Sequence, residues 1–191
     1  MTGMVRYLLV ASLLGMLIGP GGCCPAPGRV SKPITFENTA GLSIPFFDPD
    51  VIADCDPPVG WKAEPLKSSS NHNDQVWLSP TGDTAYGVIH FTMPLPVGQG
   101  LAFVGFLRQM KKTQGEATLL ERHDDPELPG IRFVAAGGLY VIRTNLLVAG
   151  WDGWAVYAGT LKSGPILPKE LDFAVRAREH TRVGRLLNPG N

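Results

Sequence analysis

YVIRTNLLVAGWDGWAVYAGTL, from Tyr140 to Leu161, is the stretch on which the fold turns. Branched and aromatic residues fill both of its arms, so Leu139 to Val148 and Trp154 to Leu161 read as strands. Asp152-Gly153 lies between them and favours the positive φ angles of a tight hairpin turn. Strands joined by so short a turn must run antiparallel. In that register Trp151 and Trp154 stand opposite each other on one face and form the expected docking patch. Trp151, at the strand end after Gly150, is expected to be the more exposed of the two.

Working outward, Gly137-Gly138 is expected to make a second hairpin turn from Ile131–Ala135, itself preceded by a strand at Ala117–Glu121. Thr84 to Met93 alternates, with Tyr86, Val88, His90 and Thr92 on one face and Gly87, Ile89 and Phe91 on the other. Pro80-Thr81-Gly82-Asp83 turns the chain into it from a strand at Gln75–Ser79. Short strands are predicted at Ile34–Phe36, Leu42–Pro45 and Trp61–Leu66, with a loop from Phe46 to Pro58.

The period then changes. Leu101, Val104, Leu107 and Met110 share one helical stripe, widened by Phe103 and Phe106, and Arg108, Gln109, Lys111 and Lys112 take the opposite side. Gly115 is placed to cap the helix. A second helix starts at Pro168, with Glu170 and Asp172 early, Leu171, Ala174 and Val175 inward, and Arg176 to Arg182 following. Strands, helix, four strands, helix excludes a doubly wound parallel sheet, which needs a crossover between strands. The predicted class is α+β: a large antiparallel sheet with a helix packed on each side.

Apolar residues make up 44% of the chain and charged residues 18%, the balance of a globular domain. Lys+Arg and Asp+Glu are 17 each, which argues against nucleic acid as a partner. Lys111, Lys112 and the arginines at 176, 178, 182 and 185 fall late in the predicted helices, where cations complement the dipole.

Three groupings bear on chemistry. Asp48, Asp50, Asp54 and Asp56 offer loop carboxylates of the kind that hold Ca²⁺, without EF-hand spacing, so a metal or small-ligand carrier is one alternative function. Ser70, His72 and Asp74 would make a hydrolase-type enzyme only by converging with His90 or His123, and no G-x-S-x-G elbow accompanies them. Cys24 and Cys55 can pair in an oxidising compartment or remain thiols. No cofactor is expected.

The N-terminus carries Arg6, an apolar run from Tyr7 to Ile18, then Gly21-Gly22 and Cys23. The run falls short of the roughly 20 residues of a membrane span, and the order is that of a signal peptide over residues 1–22. With the cysteine following Gly22 it resembles a bacterial lipoprotein signal. That resemblance implies lipid modification at Cys23, a membrane anchor, and a place in the cell envelope on the extracytoplasmic side; plain secretion is the alternative. Residues 23–32, rich in Pro and Gly, read as a stiff tether, 33–185 as the folded domain and 186–191 as a loose tail.

GLSIP at Gly41–Pro45, PPVGW at Pro57–Trp61, SPTG at Ser79–Gly82 and the hairpin of Tyr140–Leu161 together resemble the PsbP-like group, across roughly residues 40 to 183. The resemblance implies a non-catalytic domain that docks on other proteins. The expected function is thus a membrane-tethered accessory or binding module with a protein partner.

Overall fold

The computed structural model describes residues 35–36, 44–45, 51–69, 71–124 and 130–186. Cys23, Cys24, the tether, Asp48, Asp50, Ser70 and residues 187–191 lie outside them.

Strands β1 (Thr35–Phe36), β2 (Ile44–Pro45) and β3 (Val51–Asp54) come first, followed by β4 (Lys62–Ala63), β5 (Lys67–Ser69), β6 (His72–Leu78) and β7 (Thr84–Thr92). Helix α1 (Gln99–Gln114) is followed by β8 (Ala117–His123), β9 (Ile131–Gly137), β10 (Tyr140–Ala149) and β11 (Asp152–Leu161). Helix α2 (Pro168–His180) leads into β12 (Arg182–Leu186). The main sheet has the order β4-β6-β7-β11-β10-β9-β8, with β5 paired to β6 on the β4 edge, and every pairing in it is antiparallel. The α+β class and the large antiparallel sheet therefore stand.

Alternation along the strands divides the core into two. Ile89, Phe91, Phe133, Ile142, Leu146 and Tyr157 lie on one face with Phe103, Phe106 and Met110 of α1. Tyr86, Val88, Leu147, Trp154, Val156 and Ala158 lie on the other with Ala174 and Ala177 of α2. A helix thus packs on each face.

A second, smaller sheet contains β1 and β2, within the short strands expected there, together with two strands the sequence reading misses, β3 and β12. Its order is β1-β12-β3-β2, with β1 parallel to β12, and it contributes Ala53 and Val183 to the α2-side core. The sequence reading places Val51–Asp54 inside a Phe46–Pro58 loop, because the aspartates and prolines of that longer stretch outweigh its short apolar run. Arg182 and Arg185, expected in the last helix, belong to β12, and Leu186, assigned to the tail, ends that strand. The helix stops at His180 because Thr181 closes it: its N–H and its hydroxyl both donate to the Ala177 carbonyl, at 3.1 and 2.7 Å.

The helix α1 is rotated from its expected face. Ala102, Phe103, Phe106, Gln109 and Met110 are buried, while Leu101 and Val104 are 45% and 41% exposed and Leu107 is only partly covered. Aromatic area decides this. Phe103 and Phe106 meet Phe133 edge-on, with centroids 5.0 and 5.4 Å apart, and large rings outweigh two smaller aliphatic side chains. The Gly115 cap is as expected, left-handed at φ 80°.

The Gly137-Gly138 joint works through space rather than dihedral freedom. Neither residue has a positive φ. A Cβ on Gly138 would sit 2.3 Å from the Gln114 carbonyl oxygen, so the pair lets the end of α1 press on the hairpin. At the same end of the sheet, the SPTG turn is held by Gly82 N–H donating to the Ser79 carbonyl at 2.9 Å. The Thr81 hydroxyl donates to Glu170 at 2.7 Å, tying that turn to the first turn of α2.

Phe106→Ala should cost about 3–5 kcal/mol through lost burial and a cavity, whereas Val104→Ala should stay within about 0.5 kcal/mol; chemical denaturation of the two variants checks the face. A second expectation concerns Asp74, on the α1 face of β6 and 2% exposed. Burial raises its carboxyl to about 7, against a smaller opposing pull from Lys67. Between about pH 4 and 7 the folded state holds a proton that the unfolded chain has released. Stability is therefore undiminished below about pH 4, falls by up to about 1.4 kcal/mol per pH unit as pH rises to about 7, and levels off above it. Asp74→Asn should flatten that slope in denaturant midpoints taken from pH 4 to 7; an unchanged slope would assign it elsewhere.

Candidate functional site

The end of the main sheet where β10 turns into β11 collects the aromatic and titratable residues singled out in the sequence. The turn itself lies two residues earlier than expected. Ala149 pairs with Asp152, so Gly150 and Trp151 form the loop, and Gly150 takes the left-handed conformation at φ 63°. Asp152 and Gly153 are strand residues, for two reasons. The Asp152 carboxylate is committed to His90, whose Nε2 lies 3.0 Å from Oδ1. Gly153 is needed for its lack of a side chain, since a Cβ there would fall 2.3 Å from the Phe91 ring.

The shared docking face of Trp151 and Trp154 is corrected by this register. Trp154 pairs across from Leu147 and His90, points to the α2 side, and is 1% exposed. Trp151 stands alone at the tip, 52% exposed. Its carbonyl accepts a hydrogen bond of 2.7 Å from the Met93 N–H, which fixes the tip against the end of β7. The next residues along from Met93, Pro94, Leu95 and Pro96, are also exposed, so the tip has an apolar neighbour segment.

Beneath the tip lies a buried polar chain. Asn73 and His90 are cross-strand partners, and the Asn73 amide nitrogen is 3.5 Å from His90 Nδ1. An amide N–H donated to Nδ1 leaves the imidazole proton on Nε2, facing Asp152. All three side chains are buried. The Trp154 ring covers the imidazole, with centroids 5.5 Å apart at 46°. Its indole Nε1 is buried and has no hydrogen-bond partner among the described residues.

The hydrolase grouping does not assemble among the described residues. His72 and Asp74 lie on the α1 face, whereas His90 is on the α2 face of the neighbouring strand. Burial lowers the pKa of His72, with further lowering from His90 and Lys67. His123 is at the far edge of the sheet, exposed and 3.9 Å from Glu121. His90 thus lies between an amide and a carboxylate, a positioning arrangement.

The acidic stretch is divided as well. Asp54 ends β3 and accepts from Arg182 Nε at 3.1 Å. Asp56 lies 3.8 Å from His180. Among the described residues no group of three or more His, Cys, Asp or Glu side chains is placed to hold a metal ion. Cys55 is buried beside Tyr86, whose hydroxyl also meets Thr181; burial raises the Tyr86 pKa far above its usual range.

No protein-family model matches the chain, and no curated protein matches it. Among solved structures, it is similar to a protein from Bacteroides thetaiotaomicron VPI-5482 determined at 1.50 Å, with 14% identity and a TM-score of 0.35. The likeness covers 73% of this chain and 46% of that one, so the chain spans about half of that protein's length.

The two tryptophans should separate in solution. Trp154→Ala should cost about 3–5 kcal/mol, while Trp151→Ala should leave the melting temperature within about 2 °C. Acrylamide should quench a chain retaining only Trp151 strongly and one retaining only Trp154 weakly; equal quenching would contradict the observed turn.

Proposed function

We propose that this chain is a membrane-tethered extracytoplasmic binding module, a bacterial lipoprotein carrying a PsbP-like domain, which docks non-catalytically on a protein partner through the β10–β11 tip. The observation that carries the reading is Trp151, a large aromatic held half-exposed on a tight, hydrogen-bonded turn. Exposed tryptophans on rigid elements lose little conformational entropy on contact and recur as anchors at protein interfaces. The buried Asn73–His90–Asp152 chain and the Trp154 ring stiffen the base of that turn. The antiparallel sheet with a helix on each face supports the PsbP-like resemblance, as do the SPTG turn and the presence of a long hairpin over Tyr140–Leu161, its turn two residues earlier than expected. Among the described residues no helix is long and apolar enough to cross a membrane. Attachment is assigned to acyl chains at Cys23, two or more of which hold a protein stably on a bilayer.

Two measurements test the two halves of the proposal. Mass spectrometry of the membrane-extracted protein should show a chain starting at acylated Cys23, and Cys23→Ala should move it to the soluble fraction. A photo-crosslinking side chain at position 151 of the full chain in intact envelopes should give a discrete protein adduct that the same group at the exposed Val59 does not. Matching adducts at both positions, or none at 151, would remove the docking role.

A further inference from the structure

A second surface on the α2 face lies away from the tip. Arg132 of β9 and Asn145 of β10 are direct cross-strand partners, and Arg143 stands two residues along β10 on the same face. Val134, the partner of Arg143, is the small apolar floor between them. Helix α2 packs on this face, and its Arg178 side chain is 11% exposed. The three guanidiniums therefore converge along one border of α2.

Some of their polar atoms are left incomplete. Arg143 Nη1, Arg178 Nε and Asn145 Oδ1 are buried, and none has a hydrogen-bond partner among the described residues. Buried donors and acceptors are ordinarily satisfied, and each one left bare is costly. Three such atoms at one place exceed what packing needs. Arg178 Nη2 donates to Glu179 at 3.1 Å, which offsets one of the three charges. Glu121, in the same cross-strand row as Arg143 and Val134, is exposed and 3.9 Å from His123. Burial lowers the Arg178 pKa and Glu179 counters it, while the like charges of Arg132 and Arg143 add to the lowering. All three cations thus share one field.

We propose that Arg132, Arg143, Arg178 and Asn145 form a binding site for the phosphate group of a small ligand or lipid headgroup. Three cations against Glu179 and the exposed Glu121 leave a net positive charge that suits an anion. The guanidinium fork suits phosphate oxygens, which can take two parallel N–H bonds from one side chain. Asn145 Oδ1 needs a donor, so a hydroxyl next to the phosphate, as in a glycerol phosphate, completes the set. The site is independent of Trp151 and does not require that the tip dock.

Calorimetric titration of the full-length Cys23→Ala chain with inorganic phosphate and with glycerol 3-phosphate tests it, beside sedimentation with vesicles of phosphatidylglycerol or of phosphatidylcholine alone. Saturable binding of glycerol phosphate, tighter than inorganic phosphate, identifies a free ligand. Sedimentation with phosphatidylglycerol vesicles only, without soluble binding, identifies a headgroup; both outcomes support the phosphate site. Arg143→Gln should weaken either by roughly tenfold to a hundredfold, the loss of one charge-assisted contact. Arg176→Gln, on the exposed side of α2 against Asp172, should not. Should Arg143→Gln fail to fold, phenylglyoxal labelling of the unsubstituted arginines keeps the question open to refutation: phosphate should protect Arg132 and Arg143 and leave Arg108 reactive. No binding in any arm, equal binding by Arg143→Gln and Arg176→Gln, or uniform labelling would overturn the site.

Discussion

The pairing of β10 with β11 is the interaction on which the other arrangements rest. Its two-residue turn at Gly150-Trp151 sets the register, and the register sets which side chains meet which helix. Sliding the pair by one residue would exchange Trp154 and Val156 for Tyr157 and Ala155 on the α2 side. The same register brings the Asp152 carboxylate to His90 and the Gly153 backbone under the Phe91 ring. Each of these contacts has little tolerance. A carboxylate buried without its partner is costly, and any side chain at 153 would strike the ring.

The main sheet was legible because its strands are long and each carries its own signal of branched residues bounded by turns. The small sheet was legible only in β1 and β2, which fall within the short strands read at Ile34–Phe36 and Leu42–Pro45. β3 lies in a stretch of aspartates and prolines and β12 follows a basic helix end; these two become strands by pairing with each other, which no local pattern announces. The face of α1 was misread for a related reason. Spacing defines candidate stripes, but which stripe is buried depends on the opposing surface, here the Phe133 ring. The candidate site was half legible. Trp151 at the tip follows from Gly150, whereas the partnership of Asp152 with His90 spans 62 positions and has no sequence signature. The arginine cluster was missed because Arg178 reads as a helix-end cation. Its convergence with two strand arginines appears only once the α2 face is assembled.

The α2 face therefore carries two polar systems of opposite character. Near the tip, Asn73, His90 and Asp152 satisfy one another, and their effect is rigidity. Along the border of α2, the Arg143 and Arg178 guanidiniums and the Asn145 amide each keep a buried polar atom without a partner among the described residues. The exposed apolar residues of α1, Leu101 and Val104, belong to neither system and lie on the other side of the sheet.

In the small sheet, β12 is flanked by β1 on one side and β3 on the other, so the last strand of the described chain holds the first ones in place. During synthesis, β1 and β3 emerge well before β12, the strand that joins them. A ribosome or a translocation pore delivering the chain from its N-terminus must release Arg182 to Leu186 before that sheet can close. Loop closure across some 150 residues makes this a late, slow event in folding. The chain is consequently unable to complete its fold while its C-terminal end is still being delivered.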